Sequence, residues 1–283
     1  MNVKFLYVVL LFSVISCKQS DIISQSLEGK ILTSKTILFE QQIDGNMISR
    51  PVIIETSADI DNQKSYPIVI ALHGRGGSNT NWVQPLSKFT NSGEFIGVYP
   101  QGYLNSWNLG QEPSNANDAA FISNIIDTLL SYSNVDENNI FAVGNSNGSG
   151  MVNVIGGINK RLKAIAPIAS QLTERTEIKT NAIPLSIFQV NGDQDLLIPI
   201  DGGLKLGHSF LSASDSAKKW ATNFNCNQNI TVEEIGQTVL HTYSDCDDSV
   251  VVKYLVVNGA GHNIARDYSS LWNEVWDFFS SLD

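Results

Sequence analysis

The stretch Ile140-Phe-Ala-Val-Gly144-Asn145-Ser146-Asn147-Gly148-Ser149-Gly150-Met151 decides how this chain is read. It starts as an apolar run of strand type, passes through G-x-S-x-G, and runs on into Met151–Ile155, which can open a helix. Strand, tight turn and helix, in that order, are what a nucleophile elbow needs. Glycine on both flanks lets the backbone turn sharply while the serine is held in a strained conformation. Ser146 would then present its hydroxyl at a helix N-terminus, and the backbone N–H of Asn147 would face a developing oxyanion. The pattern alone is weak, because a glycine-rich β-to-α turn with a capping serine carries it too. The flanking strand and helix signals make it specific.

Outward from this stretch, the chain alternates between strand and helix patterns. Thr36–Gln42 and Arg50–Thr56 flank Asp44-Gly45-Asn46 and read as a hairpin. Pro67–Leu72 is a continuous apolar run, as expected for a strand buried on both faces. Glu94–Tyr99, Ala164–Ala169, Leu185–Val190 and Val250–Val257 read as further strands. Ala119–Leu130 and Tyr268–Leu282 carry apolar residues at helical spacing. This alternation predicts an α/β fold, with a mostly parallel central sheet and helices on both faces. The stretch between Ala169 and Leu185 is too short for an inserted cap domain, so the site is expected to be open.

Composition narrows the function classes. The chain has 283 residues, 42% hydrophobic and 16% charged, which is ample for a packed core. Its 28 Asp+Glu against 18 Lys+Arg give a formal charge of -10. That balance excludes nucleic acid as an expected partner, since such binding relies on clustered Lys and Arg. It also disfavours electrostatic steering of acidic polymers and points to neutral substrates. Three cysteines with no C-x-x-C spacing exclude a zinc ribbon, and no metal site is expected.

The N-terminus reads as an address. Lys4 precedes an apolar run, Phe5–Ile15, that is too short to span a bilayer. The ending Val14-Ile15-Ser16-Cys17 resembles the lipobox of bacterial lipoproteins, in which the cysteine becomes the lipidated first residue. Residues 1–16 are therefore expected to be a signal peptide, 17–30 a tether, and 31–283 the folded domain. Membrane contact would come only through a lipid on Cys17, which makes the protein a periplasmic or cell-surface lipoprotein. In an oxidising compartment Cys226 and Cys246 would persist as a disulfide. Closing that loop stabilises by about 3 kcal/mol in the chain-entropy model.

A serine nucleophile needs a base, and the chain has four histidines. His262 lies in Asn258-Gly-Ala-Gly-His262, after a strand and before the last helix, where α/β sheets place functional groups. His73 sits in Leu72-His-Gly-Arg75-Gly-Gly77 at a strand end, a place that suits a loop supplying the second oxyanion donor. His208 and His241 lie in segments without a catalytic setting. The base needs a carboxylate partner, and both Asp193 and Asp195 follow the Leu185–Val190 strand. With either one, the chain order Ser, Asp, His is that of α/β-hydrolases, unlike the orders in chymotrypsin-like and subtilisin-like chains. The long Gly102–Asn117 segment suggests a loop beside the site. Its Trp107 either stacks on substrate or anchors the loop to the core.

These residues together resemble the secreted α/β-hydrolase esterases that include polyhydroxybutyrate depolymerases and feruloyl esterases. The similarity runs from Pro67 to the C-terminus. It is carried by Leu72-His-Gly-Arg-Gly-Gly-Ser-Asn79, by Tyr99-Pro-Gln-Gly102 with Ser106-Trp-Asn108, and by Asn117-Asp-Ala-Ala-Phe-Ile122. Asn191-Gly-Asp-Gln-Asp195 with Pro199 and Gly202-Gly203, and the pair Cys226 and Cys246, complete it. The resemblance implies the α/β-hydrolase fold without a large cap domain, and a cofactor-independent serine esterase. Its triad would be Ser146, Asp195 and His262, with Asp195 preferred over Asp193. The oxyanion donors would be the N–H groups of Asn147 and Arg75, and Trp107 and His73 are candidates for substrate contact. The expected partner is a small-molecule or polymer-borne ester. Two departures bear on substrate choice: Asn191 stands where the family usually has His, and Asn263-Ile-Ala-Arg266 follows His262 in place of Trp-Pro-Gly. A serine peptidase and a catalytically silent binding protein remain alternatives on the same fold.

Overall fold

The computed structural model describes residues 29–282. The expected signal peptide (residues 1–16) and the candidate lipidation site Cys17 lie outside the described residues. The chain enters the fold at Lys30, which bridges to Tyr132, and Leu32 is fully buried.

Among the described residues twelve strands form. They are β1 (Lys35–Ile43), β2 (Asn46–Glu55), β3 (Tyr66–Leu72), β4 (Ile96–Pro100), β5 (Val135–Asn145) and β6 (Ala164–Ile168). Next come β7 (Ser186–Gly192), β8 (Gly203–Lys205), β9 (His208–Phe210), β10 (Thr231–Ile235), β11 (Thr238–Tyr243) and β12 (Val252–Val257). The main helices are α1 (Val83–Ser92), α2 (Asp118–Leu129), α3 (Asn147–Gly157), α4 (Ala213–Asn223), α5 (Ile264–Asp267) and α6 (Leu271–Ser280).

Ten strands make one sheet in the order β1-β2-β4-β3-β5-β6-β7-β12-β11-β10. Its centre, from β4 to β12, is parallel, and both margins are antiparallel hairpins. Every residue of β4, β6 and β7 is buried, as a strand covered on both faces requires. The pleat divides β3 cleanly. Ile68, Ile70 and Leu72 pack with α2, α3 and α4, whereas Val69 and Ala71 pack with α1 and α6. The sheet thus carries helices on both faces, as the alternating pattern predicts.

The expected hairpin forms at β1 and β2, with Asp44 and Gly45 at positive φ. A second hairpin, β10–β11, extends the opposite margin and is absent from the sequence reading. Its signal is the two-residue turn Gly236-Gln237, with Gly236 at φ 60° between two strand-forming runs. Cys226, just past α4, and Cys246, just past β11, form the disulfide.

Residues 169–185, between β6 and β7, hold no helix and no strand beyond a single bridge from Thr173 to Phe210. No cap domain is inserted there. The small β8–β9 hairpin, which follows β7, reaches over the C-terminal edge of the sheet instead.

Candidate active site

Ser146 occupies the turn between β5 and α3 with φ 56° and ψ -120°, a conformation that side-chain-bearing residues rarely adopt. The flanking glycines make this turn possible. A Cβ on Gly144 would lie 2.3 Å from the Gly148 carbonyl oxygen, and one on Gly148 would lie 2.1 Å from that of Leu72. Strand and helix can close this tightly only without those side chains. The Ser146 amide donates to Ile168 O on β6 at 2.9 Å, which fixes the turn against the sheet.

The loops after β5, β7 and β12 bring three distant residues together. His262 Nε2 is 2.8 Å from Ser146 Oγ, and His262 Nδ1 is 2.7 Å from Asp195 Oδ2. With Nδ1 facing a carboxylate, the ring carries its proton there and leaves Nε2 to accept from the serine hydroxyl. Asp195 is buried, and its Oδ1 accepts from the amides of Leu197 at 2.8 Å and Ile198 at 2.9 Å. Both of its oxygens are thereby aimed. The geometry also distinguishes the two aspartates. Asp193 accepts from Gly259 N at 2.6 Å, and so braces the loop that carries His262 without touching the ring. Asp267 braces the same loop by accepting from Gly261 N at 3.0 Å.

The two expected oxyanion donors border the same pocket as Ser146 and His262. Asn147 is the first residue of α3, so its N–H has no partner within the helix. Arg75 N makes no backbone hydrogen bond among the described residues. Gly74, beside it, packs against Ser146, with 3.4 Å between an ideal Cβ and the serine Cβ. The arrangement offers a hydroxyl, an aligned imidazole, a buried carboxylate and two amides, which is the equipment for nucleophilic acyl transfer.

Trp107 and His73 are corrections to the sequence reading, because neither borders the pocket. Trp107 is fully buried and donates from Nε1 to His73 O at 2.8 Å. Its backbone grips the Asn147 side chain: Trp107 N donates to Oδ1 at 2.7 Å, and Asn147 Nδ2 donates to Trp107 O at 3.0 Å. Trp107 is thus an anchor, its ring for the loop and its backbone for the Asn147 side chain. His73 is also buried. Its Nδ1 donates to Gly74 O at 2.8 Å, and its Nε2 accepts from Gly102 N at 3.0 Å. Burial pushes the His73 ring below its ordinary value, with the nearby Arg50 charge acting in the same direction and the bond to Gly74 opposing it. His73 therefore serves as a neutral strut between two loops.

The pocket itself has a volume of about 330 Å³. Leu109, Leu197, Ile198, Leu206 and Phe210 supply an apolar wall beside the polar residues. Two residues that the sequence did not single out also border it, Glu112 and His208. His208 Nε2 lies 3.1 Å from Glu112 Oε1, and Arg75 Nη2 lies 2.8 Å from the same oxygen. Burial alone would raise the Glu112 carboxyl. The amides of Leu109 and Gln111, together with the His208 ring, outweigh burial and hold it below the usual carboxylate range. Neither residue belongs to a motif, and 96 positions separate them.

No protein-family model matches the chain. Among curated proteins, it is 28% identical over 229 residues to feruloyl esterase B of Piromyces equi, covering 75% of this chain and 42% of that one. It is 24% identical to a bifunctional acetylxylan esterase/xylanase of Neocallimastix patriciarum, covering 76% of this chain and 31% of that one. The chain thus spans less than half the length of either relative. Among solved structures, the acetyl xylan esterase from Aspergillus awamori superposes with a TM-score of 0.59 at 15% identity, covering 87% of this chain and 100% of that one. The chain has the α/β-hydrolase fold, and its relatives include feruloyl and acetylxylan esterases, in agreement with the resemblance carried by its motifs.

Proposed function

We propose that this chain is an extracytoplasmic serine esterase that cleaves carboxylic esters through an acyl-enzyme, acting on feruloyl- or acetyl-type esters borne by polysaccharide. The observation that carries the reading is the continuous relay from Ser146 through His262 to Asp195, opening on a pocket with an apolar wall. His262 takes the Ser146 proton as the hydroxyl attacks the ester carbonyl. Asp195 holds the ring in the needed tautomer and stabilises the imidazolium. The N–H groups of Asn147 and Arg75 receive the oxyanion, and loss of one such donor costs about 3 kcal/mol of barrier. His262 then protonates the leaving alcohol, and water resolves the acyl-enzyme. The relatives named feruloyl and acetylxylan esterase support polysaccharide esters ahead of polyhydroxybutyrate-type polyesters. The apolar wall suits an aromatic or short acyl group, and the lack of an inserted cap suits an ester carried on a polymer.

A short panel tests this, with p-nitrophenyl acetate, methyl ferulate, acetylated xylan and a hydroxybutyrate oligomer. The wild type is expected to turn over the first three, and Ser146→Ala to lower kcat by on the order of 10⁵-fold or more. Absence of Ser146-dependent turnover on every ester would overturn the reading. Cleavage of peptides without cleavage of esters would favour a peptidase.

A further inference from the structure

Glu112 has no part in the relay, yet its carboxylate is the meeting point of the pocket wall. Its side chain is only 1% exposed. One oxygen, Oε1, receives three donors: Arg75 Nη2 at 2.8 Å, His208 Nε2 at 3.1 Å and Asn147 Nδ2 at 3.4 Å. The other, Oε2, accepts from the amides of Leu109 at 2.6 Å and Gln111 at 3.2 Å. Two of the three donors on Oε1 are side chains of Arg75 and Asn147, the residues whose backbone N–H groups would bind the oxyanion. The third comes from the β8–β9 hairpin, which also borders the pocket.

We infer that Glu112 is a positioning residue of the oxyanion hole, holding the Arg75 and Asn147 amides in register and tying them to the β8–β9 hairpin through His208. The inference rests on the serine-esterase reading. Arg75 sits on a glycine-flanked turn that reaches the neighbouring loop through Gly76 N, donating to Asn105 O at 2.7 Å, while Arg75 N itself makes no backbone hydrogen bond among the described residues. Its guanidinium anchor therefore limits where the Arg75 N–H points. Charge imposes a second condition. A bare carboxylate on this wall would oppose a developing oxyanion, and pairing with the Arg75 guanidinium offsets that field. Removing Glu112 would leave the donors present but misaimed, so the loss should fall on the transition state more than on substrate binding.

The test compares wild type, Glu112→Ala, Arg75→Ala and the double variant on a matched ester and thionoester pair. Sulfur is a weak hydrogen-bond acceptor, so a working oxyanion hole favours the oxygen ester. Glu112→Ala is expected to lower kcat on the ester about 10- to 100-fold, less than the roughly 10²- to 10³-fold that removing a whole oxyanion donor costs, with KM within about twofold. The ester-to-thionoester rate ratio should fall about tenfold with it. Arg75→Ala keeps the backbone N–H, removes a side chain that is 46% exposed, and should shift the ratio in the same direction. The double variant should be little worse than Glu112→Ala alone, because the Arg75 side chain acts on the site through Glu112. A wild-type ratio in folded Glu112→Ala, even if kcat falls, would overturn the inference. Should Glu112→Ala fail to fold, a wild-type ratio in Arg75→Ala would do the same. If the wild type turns over no ester, the serine-esterase reading itself fails, and this inference with it.

Discussion

At the residue scale, Ser146, Gly144 and Gly148 show how local chemistry specifies a site. The strained φ of Ser146 is tolerable because β5 on one side and α3 on the other over-determine it. The close approach of Gly148 to Leu72 O explains why the pattern demands glycine there. His73 shows the opposite case, a titratable residue that looks functional in sequence and is structural in the fold. Its Nε2 must stay unprotonated to accept from Gly102 N, and burial keeps it so. The ring is thus depressed below its ordinary 6.5 in the folded state, so the unfolded chain binds the proton more readily. Its contribution to stability is complete above that value and is lost as pH falls through the lower, folded one. Denaturant unfolding should therefore show a stability gap between wild type and His73→Asn that is widest at neutral pH and narrows on acidification. A gap that widens as pH falls would refute the strut.

At the element scale, the segment from Gly102 to Glu112 works as a clamp on Arg75 and Asn147, the two residues proposed to bind the oxyanion. Trp107 reaches His73 and Asn147, Asn105 reaches Gly76, and Glu112 reaches Arg75. The clamp is held at its base by a buried ion pair. Arg50 Nη2 on β2 lies 2.7 Å from Asp118 Oδ1 at the start of α2, and both side chains are almost wholly excluded from solvent. Arg50 also donates to Gln101 O from Nε at 3.1 Å and Nη2 at 3.0 Å, and its guanidinium lies 3.6 Å from the Phe121 ring centre. Asp118 Oδ2 accepts from Asn108 N at 2.7 Å, which brings the pair directly to the clamp. Asp118→Asn would leave the Arg50 charge buried without its counterion, and breaking such pairs costs about 3–5 kcal/mol. Urea unfolding should show that loss. Esterase activity should fall with it at temperatures where the variant is still folded, because Asn108 and Trp107 lose their footing. A stability change under 1 kcal/mol would mean that the pair behaves like an exposed one.

At the scale of the whole molecule, the sheet gathers residues from the loops after β3, β4, β5, β7 and β12 around one pocket. Location is a property of the full chain. Replacing Cys17 with Ala should move the protein from the membrane fraction to the soluble fraction of the producing cells, and unchanged membrane retention would contradict lipidation. Much of the fold was legible because its signals are local. The apolar runs at Pro67–Leu72 and Ile140–Val143 and the periodicity of Ala119–Leu130 declare their elements within a few residues. G-x-S-x-G declares its turn through backbone sterics that act between adjacent positions. The order Ser146, Asp195, His262 was readable because each follows a recognisable strand, and Asp195 was separable from Asp193 only through the family pattern until the fold placed one on the imidazole and the other on Gly259. What escaped the sequence depends on direction and convergence. Nothing in the identity of Trp107 says whether its ring faces the pocket or the core; the packing of its loop against His73 and Asn147 decides that. Glu112 and His208 acquire meaning only as a pair with Arg75, because a carboxylate shielded from water holds donors that chain distance keeps unrelated. The sequence by itself determined the central strands, the helices α2 and α6 and the candidate reacting groups, since those are set by short-range sterics and hydrophobic period. The tertiary structure alone decided which side chains border the pocket and which hold the others in place, because burial and hydrogen-bond partners exist only once the loops have met.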